Sequence, residues 1–170
     1  MRLAITWSRI LNAVVLAVTS TSLVAADPAS LANGVYAVLR EGVTPAEARP
    51  GNVPHVTLLY RQKYSESDRN EPPRYVALDP SSFVPLVLAE PPEARKDDRG
   101  WTLLHVTFAP EQVKTLATFT RAHLGGGVAI VIDGEIITMH KVRSVIEDGR
   151  VQITRCQDDA CRVLRMKLTK

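Results

Sequence analysis

The stretch Val128-Ala129-Ile130-Val131-Ile132-Asp133-Gly134-Glu135-Ile136-Ile137-Thr138-Met139 decides the fold class. Two runs rich in β-branched residues flank Asp133-Gly134, a pair suited to a tight hairpin turn in which both central residues need positive φ. An antiparallel hairpin is expected there. On its N-terminal side, Gly125-Gly126-Gly127 follows a helical pattern and is read as the helix stop. A phosphate-cradling loop needs the opposite order, strand then glycines then helix, so that backbone N–H groups point at the anion. The helix itself opens at Ala109-Pro110-Glu111, where proline loses no useful hydrogen bond and the acid suits the positive end of the helix. Val113, Leu116, Ala117 and Leu124 keep helical spacing, with Phe119 beside the stripe. Before the helix, Leu104, Val106 and Phe108 alternate with His105 and Thr107, the pattern of a half-buried strand.

Downstream of the hairpin, Arg143 to Glu147 is expected as a brief helical turn and Asp148-Gly149 as a reversal. A strand from Arg150 to Cys156 follows, with Val151 and Ile153 inward. Cys156 and Cys161, the two cysteines of the chain, enclose four residues between strand-like flanks and are read as a disulfide clasping a hairpin that returns through Val163 to Leu168. The competing readings are a redox pair, which usually has two intervening residues, and half a metal site, which needs two more ligands. Residues 101–170 thus read β–α–β–β–β–β, one antiparallel sheet covered by one main helix, an α+β fold.

Toward the N-terminus, Gly34 to Arg40, Val53 to Tyr60 and Arg74 to Leu78 read as strands, so 27–90 is a β-rich region. Arg61 to Pro73 is almost wholly polar and reads as a solvated, mobile loop. Phe83 to Ala89, interrupted by Pro85, is an edge strand or an extended connector. Residues 91–100 hold a dense run of charges behind Pro91-Pro92 and read as a linker between the β-rich region and the α+β domain at 101–170.

Residues 1–26 carry Arg2 and Arg9 without an acid, then an uncharged apolar run ending Val24-Ala25-Ala26, which reads as a secretory signal peptide cut after Ala26. The competing reading keeps the segment as a membrane anchor, since a span needs roughly 20 apolar residues. Either reading puts the remainder outside the cytoplasmic membrane, periplasmic or secreted, where a disulfide persists. No second apolar span follows, so none is expected in the mature chain.

A chain of 170 residues, 45% hydrophobic and 23% charged, predicts a packed domain or two small lobes. Of 21 basic and 18 acidic residues, two basics fall in the first 26 positions, which leaves the rest near neutrality. A nucleic-acid partner is not expected, because it would require a basic stripe to neutralise phosphates. His55, His105, His123 and His140 are isolated in sequence, and none has the spacing of a metal site. No serine stands in a nucleophile elbow, and adjacent acids such as Asp97-Asp98 belong to turns. No catalytic residue, cofactor or metal is expected. The alternative is a small secreted hydrolase, in which His105 or His140 would converge with Asp133 or Glu135 in a pocket.

Gly127 to Ile137 followed by Gly149-Arg150-Val151-Gln152-Ile153-Thr154 resembles the signature of the SecD head, part of a subunit of the bacterial protein-export machinery. Leu104 to Phe108 and the helix holding Phe119-Thr120-Arg121 are similar to the strand and helix that precede it, and Phe83 to Glu93 more weakly to the segment leading in. The likeness covers about residues 101–154. It implies an exported head-like module that binds polypeptide or an envelope protein through an exposed sheet edge or loops, without enzymatic activity. The membrane-spanning part of that family, which powers translocation, is not expected in this chain. Two departures are also expected: Met139-His140 in place of Ala-Pro after the hairpin, and the cysteine hairpin in place of a final helix.

Overall fold

Alternation of branched residues places β6 (Gly127–Ile132) at the heart of the molecule, because Val128, Ile130 and Ile132 enter one apolar cluster while Ala129 and Val131 enter another. The computed structural model describes residues 31–64, 72–156 and 158–169. The expected signal peptide lies outside the described residues, as do positions 65–71 of the expected loop. Strand β6 pairs antiparallel with β1 (Gly34–Gly42) on one side and β7 (Glu135–Lys141) on the other. Strand β1 pairs in turn with β3 (Arg74–Pro85), and β3 with β2 (Val56–Tyr60), for the order β2-β3-β1-β6-β7. The β6–β7 turn is the expected one, with Asp133 at φ 53° and Gly134 at φ 71°.

One face of this sheet buries Tyr36, Val56, Leu58, Tyr60, Val76, Leu78, Ala129, Val131 and Ile136, drawn from all five strands and from no helix. Among the described residues no helix covers this face; the sheet curls over it, and the outer strands β2 and β7 come into contact. Tyr36 stacks on Phe83 inside this curl, ring centroids 4.9 Å apart. The opposite face carries Val35, Ala37, Ile130 and Ile137 and packs against the rest of the molecule.

That remainder is built on a second sheet, β4 (Glu93–Lys96), β5 (Thr102–Thr107) and β8 (Arg150–Cys156), in the order β4-β5-β8. The charged stretch expected as a linker therefore contains a strand, paired to β5 from Glu93↔His105 to Lys96↔Thr102. Charge and proline mark a solvated sheet edge as readily as a linker. The fold class is α+β as expected, but the C-terminal strands do not share one sheet: β6 and β7 join the N-terminal strands, while β8 crosses to β5. The crossing is made by the segment from Val142 to Gly149, which has no helical turn at Arg143 to Glu147. Gly149 at φ 72° accepts at its carbonyl from the Phe108 N–H, 2.9 Å away. Phe83 to Pro85 lies within β3, whose partner there is β1.

Helix α1 (Pro45–Ala48), which the sequence reading did not anticipate, is closed by a reciprocal cap: Thr44 Oγ1 accepts from the Glu47 N–H and Glu47 Oε2 from the Val43 N–H. Helix α2 (Pro110–Ala122) begins and stops where expected, with Gly125 at φ 80° beyond its end. It buries Leu116, Phe119 and Thr120, whereas Leu124, past the cap, is 57% exposed and leaves the expected stripe.

The largest correction concerns the C-terminus. Residues Asp158–Leu168 form helix α3 instead of a returning strand. Cys161, Leu164 and Leu168 stand three and four residues apart on one helical face, with Cys161 and Leu164 buried. The basic residues Arg165 and Lys167 in the last turn complement the helix dipole. The disulfide between Cys156 and Cys161 does form, with Cα atoms 5.6 Å apart, and it ties the end of β8 to the first turns of α3. Replacing both cysteines by serine should cost about 2 kcal/mol in the chain-entropy account of so short a loop. A matching drop in the urea midpoint, reproduced by reduction of the wild-type chain, checks it.

Candidate functional site

Among the described residues β4 pairs with β5 alone, so its other side presents main-chain donors and acceptors at the sheet edge. All four of its residues are exposed. Cross-strand partners share a face, so Ala94 and Lys96 lie on the side of Leu104 and Thr102, toward which α3 packs. Cys161 Sγ, which carries no proton in the disulfide, lies 3.6 Å from the Thr102 carbonyl oxygen, a packing contact that seats the helix on that strand. Between β4 and α3 runs a cleft of about 540 Å³, floored by Thr102 and Cys161 and walled by Lys96 on one side and Arg162, Arg165 and Met166 on the other. Among the described residues, Lys96, Arg162 and Arg165 bring positive charge to it and no carboxylate lines it. Met166, 54% exposed, supplies a flexible apolar surface within the cationic wall. On the other face of β4, Arg95 donates to both oxygens of Glu93, at 2.7 and 2.8 Å, and this pairing holds the Glu93 carboxyl below its usual range.

The residues named for the alternative hydrolase do not converge. His140 is at the far end of the β6–β7 hairpin from Asp133 and Glu135, and its Nε2 donates to the Ile153 carbonyl at 2.5 Å. His105 stands on β5 opposite Gln152 and Glu93. Asp133 and Glu135 instead meet lysines: Lys167 of α3 reaches Asp133 at 3.4 Å and Glu135 at 3.8 Å, and Lys63 pairs with Glu135. His55 contacts the Val53 carbonyl at 2.8 Å and His123 contacts Ser82 Oγ at 2.8 Å. Among the described residues, no three of His, Cys, Asp and Glu gather as a metal-holding group.

Tyr64 completes the acidic turn by donating to Glu135 Oε2 at 3.4 Å, and its phenol is raised above the ordinary 10.0, first by burial and then by the Glu135 charge. A raised native value means that stability present below pH 10.0 is lost as the pH climbs from 10.0 through the native value. Urea melts between pH 9 and 11 should show this loss, and Tyr64→Phe should reduce it.

The second sheet, both longer helices and the β6–β7 hairpin all fall in one contiguous segment. Residues 90–167 match the family model "SecDF, P1 head subdomain". The head match begins just before β4 and ends within α3, so it includes both walls of the cleft. The expected departure of a cysteine hairpin in place of a final helix is not found, since Asp158–Leu168 is a helix. Among solved structures, a chain of SecDF, described as a membrane component that enhances protein export, is 21% identical, with a TM-score of 0.49, over 81% of this chain and 62% of that one. SecDF in its Super-membrane-facing form is 23% identical, with a TM-score of 0.48, over 79% of this chain and 18% of that one. This chain therefore spans less than two thirds of either. No curated protein matches. Among the described residues, no helix is long and apolar enough to cross a membrane.

The sequence reading missed the cleft because it placed β4 in a linker and α3 in a strand. The available signal was the 161/164/168 spacing.

Proposed function

We propose that this chain is a non-enzymatic, exported module related to protein export, which holds extended polypeptide in the periplasm along the open edge of β4. The observation that carries this reading is the cleft itself, in which the outer edge of β4 runs beside Lys96, Arg162 and Arg165. An extended segment can add to such an edge through its backbone, which demands little of its sequence and suits an unfolded client. The cations favour clients carrying acidic side chains, and Met166 adapts to varied apolar ones. The SecDF head match over both walls supports the link to export.

A photo-crosslinking residue placed at Met166 of the full chain should capture a reduced, carboxymethylated polypeptide, and native folded protein should not compete. Equal capture from Val43, on the loop before α1, would overturn the reading, as would no capture from Met166.

A further inference from the structure

The ladder with β5 sets which way each residue of β4 turns its main chain. Asp97 N–H donates to the Trp101 carbonyl at 2.9 Å, in the same register as Glu93↔His105 and Arg95↔Leu103. Bonded and non-bonded pairs alternate along an antiparallel ladder. Glu93 and Arg95 therefore turn their main-chain groups toward β5, and Ala94 and Lys96 turn theirs to the outer edge. These same two residues carry their side chains on the face toward α3. A strand added to this edge would pair at Ala94 and Lys96, and its residues opposite them would share that face.

The two faces offer such a strand different charge. Toward α3 stand Lys96, Arg162 and Arg165. Arg162, Arg165, Met166 and Thr169 are all exposed and stand three or four residues apart, so they form one stripe of the helix along the cleft. On the far face, Arg95 is bonded to both oxygens of Glu93, and the pair offsets its own charge. Every second residue of an extended client meets the first face, at intervals of about 7 Å, and the residues between meet the second. Arg162 and Arg165 lie about 4.5 Å apart along the helix axis, so their long side chains span that interval.

We infer that the cleft selects by pattern as well as by charge: its partner is an extended segment with acidic side chains at alternate positions, opposite Ala94 and Lys96. The inference rests on the cleft being a polypeptide site, as proposed above. A second copy of this chain is the poorer occupant. The two-fold axis that joins two β4 edges in one sheet puts both α3 helices on the same face, with their arginines toward each other.

The test titrates the full chain, by fluorescence anisotropy at low salt, with three capped octapeptides. One alternates glutamate and threonine, one holds the same residues in doubled order, and one alternates lysine and threonine. The alternating glutamate peptide should bind at least threefold more tightly than its doubled isomer of identical charge, and the lysine peptide most weakly. Ala94→Pro removes an outward N–H that the β5 ladder does not use, a change that edge strands tolerate, and should erase the preference while leaving circular dichroism unchanged. Main-chain N-methylation of the alternating peptide should abolish its binding, which checks edge pairing without altering the protein. Equal affinity of the two glutamate peptides, a preference that survives in folded Ala94→Pro, or undiminished binding of the methylated peptide would each overturn the inference. Equal affinity together with capture of carboxymethylated polypeptide at Met166 would sink the pattern and leave the proposed function standing; loss of both peptide binding and capture would remove both. Self-association in sedimentation that Ala94→Pro abolishes and the alternating peptide fails to disperse would give the edge to a second copy and overturn the inference.

Discussion

Phe108→Ala should lower the free energy of unfolding by about 3–5 kcal/mol, the usual cost of emptying an aromatic core position. Phe108 is 1% exposed and stands at a junction. It bridges Leu88 from the segment after β3, its N–H donates to Gly149 before β8, and Pro110 starts α2 two residues later. Its side chain belongs to the cluster that joins Val35 and Ile130 of the five-stranded sheet to Leu104 and Ile153 of the three-stranded one. The loss should therefore fall on both sheets together. Urea unfolding followed by far-ultraviolet circular dichroism and by tryptophan fluorescence should show one shared transition moved to lower denaturant. Separate transitions for the two probes would mean that the sheets unfold independently.

Charge reversal in the cleft should have the largest functional effect. Arg162→Glu with Arg165→Glu places two acids where α3 faces β4, converting attraction for an acidic segment into repulsion. Affinity for a reduced, carboxymethylated polypeptide should fall at least tenfold in a fluorescence-anisotropy titration at low salt. Raising the ionic strength should weaken the wild-type complex and narrow the gap between the two proteins, since surface charges act only within a Debye length of about 10 Å at 0.1 M. Helix content should stay near wild type, because both side chains border the cleft rather than the core. A folded double variant that binds as the wild type does would remove cationic selection from the proposed function.

Local signals carried much of the architecture. Asp133-Gly134 between branched runs, Pro110-Glu111 opening α2 and Gly125 closing it each encode their element within a few residues, and each element stands where its residues place it. Pairing was less legible. Nothing near Arg150 says that β8 must pass over β7 to reach β5; that choice follows from the shared cluster joining Ile153 and Leu104 to Val35 and Ile130 across the two sheets. Helix α3 was misread for a local reason. Cysteines five residues apart fit a hairpin clasp, and Val163 favours a strand, yet the decisive pattern was the buried 161 and 164 pair with exposed Val163 and Met166 between and beyond them. The cleft was invisible for the same reason, since neither of its walls had been recognised.

Strand β1 lies between β6 and β3, with Gly34 to Ala37 zipped to Val128 to Val131. The boundary of the 90–167 match thus cuts across a ladder rather than around a self-sufficient body. Severed at residue 90, the C-terminal piece would keep its helices and its three-stranded sheet but bare the flank of β6, a ribbon of valine and isoleucine with nothing to clothe it. Such a fragment would seek another copy of itself, and transplanting this module into a different protein calls for taking the first strand along.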